Sequence, residues 1–369
     1  MDIVQRNFFR LLRSGTFGGH EKVEPMSAYK WDRLYQTALM HGVAALTADG
    51  IERHRGDFFL QLSGEQEETW RKITEETEAA NRNIDACLAG LFGMMNKEQL
   101  RPILLKGQGL AQLYDNPLHR TGGDMDIFFP YPTQGSKADA WARSNGTEQP
   151  SEERTTMRYL WNGVRIEHHH RMQRLTNPRL NRRLQDIISS EINCCDSSYV
   201  TIGGTKVEVL PPTLNLLYII IRIVRYILNE GISLKQVIDL GMFLRKNGDK
   251  VDFVKLQSWL DRLRMQWMAR LTGSLLVRLF GFTEDEIPFM NGHSDSSVDN
   301  VITDVLRLSS MHNDNWYFTQ GKNIFVRTSD SNAMIWQIRH SAKYMKYYPT
   351  ETVTNFFATF ANSLSRIEE

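Results

Sequence analysis

The stretch ILLKGQGLAQLYDNPLHRTGGDMDI, residues 103–127, places charged residues beside two apolar segments. PILL predicts a short strand that ends at Lys106, and DMDIFFP predicts a second strand that is stopped by proline. Between them, GQGLAQLYD predicts a helical segment that begins on glycines. Asp124 and Asp126 stand two positions apart at the start of the second strand, so both project from one face. This stretch therefore predicts a strand that opens with two carboxylates.

These paired carboxylates fit a hard divalent cation such as Mg²⁺. A D-x-D pattern by itself is weak evidence, because a solvated strand end explains most cases. A third acid comes from TTMRYLWNGVRIEHHHRM, in which two alternating runs flank Asn-Gly, the dipeptide favoured in a type I′ hairpin turn. Glu167 and His169 share the polar face of its second strand. If this hairpin pairs beside the strand of Asp124 and Asp126, the three acids could hold two metal ions for phosphoryl transfer.

Two roles remain open for the run of three consecutive histidines. His168 and His170 share a strand face and could meet at zinc, although consecutive strand residues otherwise diverge. His169 lies on the face of Glu167, which favours contact with the substrate or with the metal ligands.

The glycine turn after the first strand is a candidate phosphate site. Free N–H groups at a strand-to-helix junction attract anions, and Gly107 and Gly109 let the backbone approach a ligand closely. The sequence matches neither a Walker A loop nor a dinucleotide-binding fingerprint. Lys106 is either a charge partner for a triphosphate or a solvated lysine at a strand end. Arg120 either pairs with a phosphate or holds the acids in place, while Gly123 lets the chain turn into the second strand.

The chain divides into three regions by pattern. We predict an N-terminal helical region at 1–99, an α/β core at 100–210 and a C-terminal helical domain at 211–369. Ser63, with glutamine three residues later, predicts a capping box at the start of a long helix, and a second hairpin is expected in YVTIGGTKVEVL. The C-terminal helical segments are predicted at 213–229, 233–246, 251–281, 296–311, 331–345 and 350–367, with 312–330 irregular.

Composition limits the classes of partner. The 369 residues carry a net charge of +1, so no global field points to nucleic acid or to an anionic membrane, and we expect neither as a partner. The most apolar stretch, LNLLYIIIRIVRYIL, is too short to span a bilayer. The three cysteines are odd in number and include the adjacent pair Cys194-Cys195, which favours a reducing compartment and predicts a cytoplasmic protein.

The combination of ILLKGQGLAQLY, an arginine shortly before GDMDI, and VRIEHHH after an NG hairpin resembles the uncharacterised nucleotidyltransferase family of bacteria. That family belongs to the DNA polymerase beta-like nucleotidyltransferase superfamily. PPTLNLLYIII and GISLKQVIDLGMFL also resemble it, so the resemblance covers most of the chain. It implies an α+β fold with a mixed β-sheet and flanking helices, and a nucleoside triphosphate bound with Mg²⁺ or Mn²⁺. Asp124 and Asp126 would then hold both ions, and Glu167 would hold the ion that activates the acceptor hydroxyl.

Two functions follow. The first is a metal-dependent nucleotidyltransferase that moves a nucleotidyl group to a hydroxyl of an unknown acceptor (a small molecule, a sugar or a protein) as pyrophosphate leaves. The second is a non-catalytic nucleotide-binding or protein-interaction member of the same fold. It is favoured by Gly107-Gln108-Gly109, which stands where the superfamily usually has a glycine–serine pair. Geometry discriminates the two functions. If Glu167 points away from Asp124 and Asp126, or if a basic side chain fills the metal position, the non-catalytic role is favoured.

Overall fold

The structure is a computed structural model that describes residues 1–150, 156–229, 232–290, 298–308, 344–345 and 347–354. The predicted irregular segment 312–330 lies outside these residues, and the helices predicted at 331–345 and 350–367 lie largely outside them.

The N-terminal region is helical, as predicted. Within residues 1–99, the helices are α1 (Ile3–Phe17), α2 (Ala28–Met40), α3 (Ala44–Arg53) and α4 (Gly64–Lys97). The predicted capping box is confirmed: the Gln66 amide donates to the Ser63 hydroxyl, and the Ser63 amide donates to the Gln66 side chain. Glycine lets α1 and α3 approach closely, because a Cβ on Gly50 would lie 1.9 Å from the Leu11 carbonyl oxygen.

Seven strands form one mixed sheet in the described part of the chain. They are β1 (Ile103–Leu104), β2 (Met125–Phe128), β3 (Thr147–Gln149), β4 (Thr156–Trp161), β5 (Val164–His169), β6 (Ser198–Ile202) and β7 (Thr205–Val209). The order across the sheet is β3-β4-β5-β2-β1-β7-β6. β2 runs parallel to β5 and antiparallel to β1, and β1 runs parallel to β7. The predicted fold class, a mixed sheet with flanking helices, is confirmed.

Both predicted hairpins are confirmed. Asn162 and Gly163 join β4 to β5 with φ of 48° and 76°, and Gly203 and Gly204 join β6 to β7 with φ of 54° and 76°. Positive φ at both central residues is what a type I′ turn requires. The three-residue strand β3, which extends this sheet beyond β4, was not predicted.

Further helices connect the strands. They are α5 (Gln108–Ala111), α6 (Pro132–Asn145) and α7 (Pro178–Cys194). Met125, Ile127 and Ile166 point into a core that they share with the second half of α4 and with α6. Because side chains alternate along a strand, Asp126 and Phe128 of β2 point to the opposite face, where Phe128 joins a second core.

This second core is formed by the N-terminal and C-terminal helices together. The latter are α8 (Pro212–Asn229), α9 (Leu234–Asn247), α10 (Phe253–Arg262), α11 (Gln266–Phe280) and α12 (Val298–Leu308). Aromatic contacts join the two sets: the ring centroids of Phe17 and Phe282 lie 5.0 Å apart. A continuous helix over 251–281 is wrong, because Arg264 adopts φ 55°, a left-handed conformation that separates α10 from α11. In the described residues, no helix has both the length and the apolarity to cross a bilayer.

Candidate active site

Asp126 and Glu167 are neighbours across the parallel pair of β2 and β5. Their Cα atoms are register partners, and both side chains point to the face opposite the α4–α6 core. His169, two residues along β5, places its Nε2 3.0 Å from Asp126 Oδ1 and 3.6 Å from Glu167 Oε2. One ligand atom from each of the three residues lies within 4.8 Å of the others. We call this the Asp126–Glu167–His169 group.

Lys106 is the cation that contacts the Asp126 carboxylate of this group. It follows β1, which pairs with β2, and its Nζ lies 2.9 Å from Asp126 Oδ2. That oxygen is fully buried and accepts no well-aligned hydrogen bond. Burial raises the pKa of Asp126, but Lys106 and His169 together outweigh burial and hold the pKa well below its ordinary value. The Asp126 carboxylate is therefore charged at neutral pH.

Asp124 lies beside the group but is not part of it. Its Oδ1 lies 3.3 Å from Arg165 Nε, and burial raises its pKa despite this arginine. Glu167 also contacts an arginine, since its Oε1 accepts a hydrogen bond of 2.7 Å from Arg158 Nε. The structure thus brings Asp126 and Glu167, two of the three predicted acids, into one cluster with His169. All three predicted acids contact a basic side chain.

The glycine turn is anchored to α4 by the side chain of Gln108. Gln108 donates a hydrogen bond of 2.6 Å from its Nε2 to Asp85 Oδ1. Gly107 adopts φ 66°, which turns the chain from β1 into α5. Gly109 packs against β1 and β7, because a Cβ there would lie 3.4 Å from the side chains of Leu104 and Val209. Gly123 is open, with nothing within 4 Å of a Cβ at that position.

Arg120 is paired away from the acids. Its Nε and Nη2 each donate a hydrogen bond of 2.7 Å to the two carboxylate oxygens of Asp239 on α9. The Tyr114 hydroxyl donates to the same carboxylate at 2.7 Å. The side chains of Arg120 and Asp239 are only 6% and 7% exposed. Arg120 therefore ties the turn before Asp124 to the C-terminal helices.

Two cations from the C-terminal helices complete the site, and the sequence pattern did not single out the second of them, Lys235. Arg222 on α8 donates hydrogen bonds to the hydroxyls of Tyr218 and Tyr226 at 3.2 and 3.1 Å, and its charge helps lower the pKa of Asp126. Lys235 on α9 donates to the backbone oxygen of residue 121 at 3.3 Å. Neither has a described carboxylate within 4.0 Å. The sequence feature that indicates a site role for Arg222 is its charge within a largely apolar helix.

Lys235 is the more titratable of these two cations. Burial, together with Arg120, lowers the pKa of Lys235 to about 8. A partly buried ammonium group with a depressed pKa is one that a bound anion would stabilise.

The family comparison agrees with this geometry. Residues 27–281 match the family described as uncharacterised nucleotidyltransferase, a range that extends from the residue before α2 to the end of α11 and includes every site residue described above. No curated protein and no solved structure matches the chain. Since the matched range is well over half of the chain, the protein belongs to the uncharacterised nucleotidyltransferase family.

Proposed function

We propose that the protein is a metal-dependent nucleotidyltransferase, which transfers a nucleotidyl group from a nucleoside triphosphate to an acceptor hydroxyl and releases pyrophosphate. The observation that carries the proposal is the Asp126–Glu167–His169 group, held by the register of β2 against β5 with Lys106 opposite. Buried acids on adjacent strands beside a glycine turn and several cations are suited to phosphoryl transfer, where positioning and charge stabilisation supply most of the catalysis.

The residues present fit a divalent cation. Asp126 Oδ2 is a buried carboxylate oxygen that accepts no well-aligned hydrogen bond, and carboxylate oxygens are the ligands that Mg²⁺ and Mn²⁺ prefer. We assign Asp126 and Glu167 as ligands, with Asp124 joining them when its contact with Arg165 is exchanged. The ion, when bound, would supply charge stabilisation for the phosphoryl group and activation of the acceptor hydroxyl.

The cations around the acids are the proposed triphosphate contacts. Lys106, which contacts Asp126 in this structure, would contact a phosphate oxygen when Asp126 holds a divalent cation. Arg222 and Lys235 have no described carboxylate partner to give up, so they are free to meet the negative charge of the phosphates. Gly107 and Gly123 let the backbone of the turn approach the same phosphates.

His169 is proposed as the residue that orients the acids. Its Nε2 lies 3.0 Å from Asp126 Oδ1, so its ring can orient that carboxylate, and Glu167 Oε2 lies 3.6 Å from the same nitrogen. Glu167 would face the acceptor hydroxyl through the bound ion.

The test combines binding and turnover. The full chain is titrated by calorimetry with each of the four ribonucleoside triphosphates, with and without Mn²⁺ or Mg²⁺, and pyrophosphate release is measured with sugar, small-molecule and protein hydroxyl acceptors. We expect metal-dependent nucleotide binding that weakens at least about tenfold in Asp126→Asn and in Glu167→Gln. Glu208→Gln is the matched control, because Glu208 is an acid of the same sheet that pairs with Arg101 outside the site. Metal-independent binding, or equal binding by all variants, would refute the assignment of the acids.

A non-catalytic nucleotide-binding role is the second candidate, and one observation favours it. Lys106, Arg158 and Arg165 already neutralise the three acids. In that case nucleotide binds without metal, Asp126→Asn leaves its affinity unchanged, and no pyrophosphate is released with any acceptor. The same calorimetry therefore separates the two functions.

A further inference from the structure

A second cluster of metal-ligating side chains lies outside the sheet, at the end of α3. His20 belongs to the loop after α1, His54 follows α3, and Asp57 lies in the turn that comes next. One ligand atom from each lies within 4.8 Å of the others. His20 Nε2 is 3.1 Å from Asp57 Oδ1, and His54 Nε2 is 4.0 Å from Asp57 Oδ2. We call this the His20–His54–Asp57 cluster.

The cluster has more hydrogen-bond acceptors than donors. The fully buried His54 ring places Nδ1 2.8 Å from the Gly50 carbonyl oxygen and Nε2 3.1 Å from the Glu21 carbonyl oxygen. With the proton on Nδ1, the Nε2 lone pair faces an oxygen that cannot donate to it. Asp57 Oδ2 is also buried and accepts no hydrogen bond. A positive ion between these atoms would satisfy all of them.

We propose that the His20–His54–Asp57 cluster binds a transition-metal ion of the Zn²⁺ class, separate from the proposed catalytic metal. Two imidazole nitrogens with one carboxylate oxygen are a donor set that suits zinc and disfavours Mg²⁺. The hydrogen bond from His54 Nδ1 to a backbone carbonyl is the outer contact that metal-bound histidines usually make. The Glu21 carbonyl oxygen or a water would be the fourth ligand.

The distances from the Asp57 carboxylate to the two histidines are near those of a zinc site, but one ring must reorient. With bonds of about 2.0–2.1 Å, tetrahedral ligand atoms lie about 3.4 Å apart. The measured separations of 3.1 and 4.0 Å bracket this value. The His20 and His54 rings are stacked at 4.1 Å between centroids, so His20 must tilt for its lone pair to converge with that of His54. His20 can do so, because its side chain is 54% exposed and it follows Gly18 and Gly19.

The role of such an ion would be to join the loop after α1 to the end of α3. His20 comes from that loop, and the other two ligands come from the α3 terminus and its following turn. A bound ion adds stability only to the folded chain, since the three ligands converge only there.

The experiment is a Zn²⁺ titration by calorimetry on the full chain carrying Asp126→Asn and Glu167→Gln, which disables the sheet group. We expect one Zn²⁺ per chain and a raised melting temperature. His20→Ala or Asp57→Asn, added to this background, should weaken binding at least about tenfold. Both substituted side chains are partly exposed, so folding is retained without the buried His54 being touched. Asp285→Asn, at an exposed acid outside the cluster, is the control.

Co²⁺ substitution identifies the ligands independently. Bound Co²⁺ with four or five nitrogen and oxygen ligands absorbs visible light. Loss of this absorption in His20→Ala supports the proposal. Absence of Zn²⁺ binding would overturn the proposal. Binding that persists in His20→Ala and Asp57→Asn, or a thiolate charge-transfer band from Cys194 or Cys195, would also overturn it. None of these outcomes depends on nucleotidyl transfer.

Discussion

The buried pair of Arg120 and Asp239 gives the sharpest stability prediction. The substitution Asp239→Asn keeps the shape of the side chain but removes the negative charge that faces the guanidinium group. Arg120 then retains its charge at a position where only 6% of its side chain is exposed, with no carboxylate to accept from its Nε and Nη2. The hydrogen bond from the Tyr114 hydroxyl can persist, because an amide oxygen still accepts it.

The expected cost follows from the burial of the pair. Removing one partner of a buried ion pair leaves an uncompensated charge and costs about 3–5 kcal/mol of unfolding free energy. An exposed pair of similar length costs about 0–1 kcal/mol. Arg278 and Asp299 are such a pair, at 2.9 Å with side chains 54% and 62% exposed, so Asp299→Asn is the matched control.

Urea unfolding measures both costs. Circular dichroism and tryptophan fluorescence should give coincident transitions before a free energy is extracted. A double-mutant cycle with Arg120→Met should show a coupling of about 2–3 kcal/mol, because the double variant no longer buries a lone charge. If Asp239→Asn costs no more than Asp299→Asn, the pair does not stabilise the turn before Asp124, and the reasoning from burial is refuted.

Three further predictions concern the turn, the phosphate contacts and the hairpin. Gly122→Ala should lower the unfolding free energy, measured in urea, by about 1–3 kcal/mol, because its Cβ would lie 2.4 Å from Asn81 Oδ1 on α4. Gly123→Ala should change that free energy by less than about 0.5 kcal/mol and weaken only nucleotide binding, because nothing lies within 4 Å of a Cβ at that position. Nucleotide affinity, measured by calorimetry, should fall as pH rises through about 8, where the Lys235 ammonium loses its charge, and Lys235→Arg should remove this dependence. Asn162→Val should cost about 1–2 kcal/mol in urea unfolding, since φ at this position is 48°, while Asn162→Gly should be tolerated.

Each of these predictions has a contrary outcome. Equal stability of the two glycine variants would show that α4 yields to the added methyl group. An unchanged affinity between pH 7 and 9 would remove Lys235 from the phosphate site. Lys235 also makes the stability of the folded chain depend on pH. Because its pKa is lower in the folded chain than in the unfolded chain, its contribution to the unfolding free energy should increase as pH rises above about 8. A flat response there would contradict the burial of this amine.

Much of the site was predictable because it depends on local stereochemistry. Strand alternation placed Glu167 and His169 on one face and Ile166 on the other before any pairing was known, and the structure confirms that parity. The Asn-Gly dipeptide predicted the hairpin, and hence the position of β5, because few residues adopt positive φ at low cost. The roles of these residues in nucleotide and metal binding stay predictions.

The sequence by itself thus determined most of the strands, the two hairpin turns and the face on which Glu167 projects, since these follow from the backbone preferences of neighbouring residues. Only the tertiary structure decided the partners of the charged groups. It paired Arg120 with Asp239, which lies 119 residues away, turned Asp124 toward Arg165, and brought Arg222 from α8 near Lys106 and Asp126. The physical reason is that a buried charge is stabilised by whichever opposite charge or phenol the packing of distant elements brings within a few ångströms, and no local pattern encodes that choice.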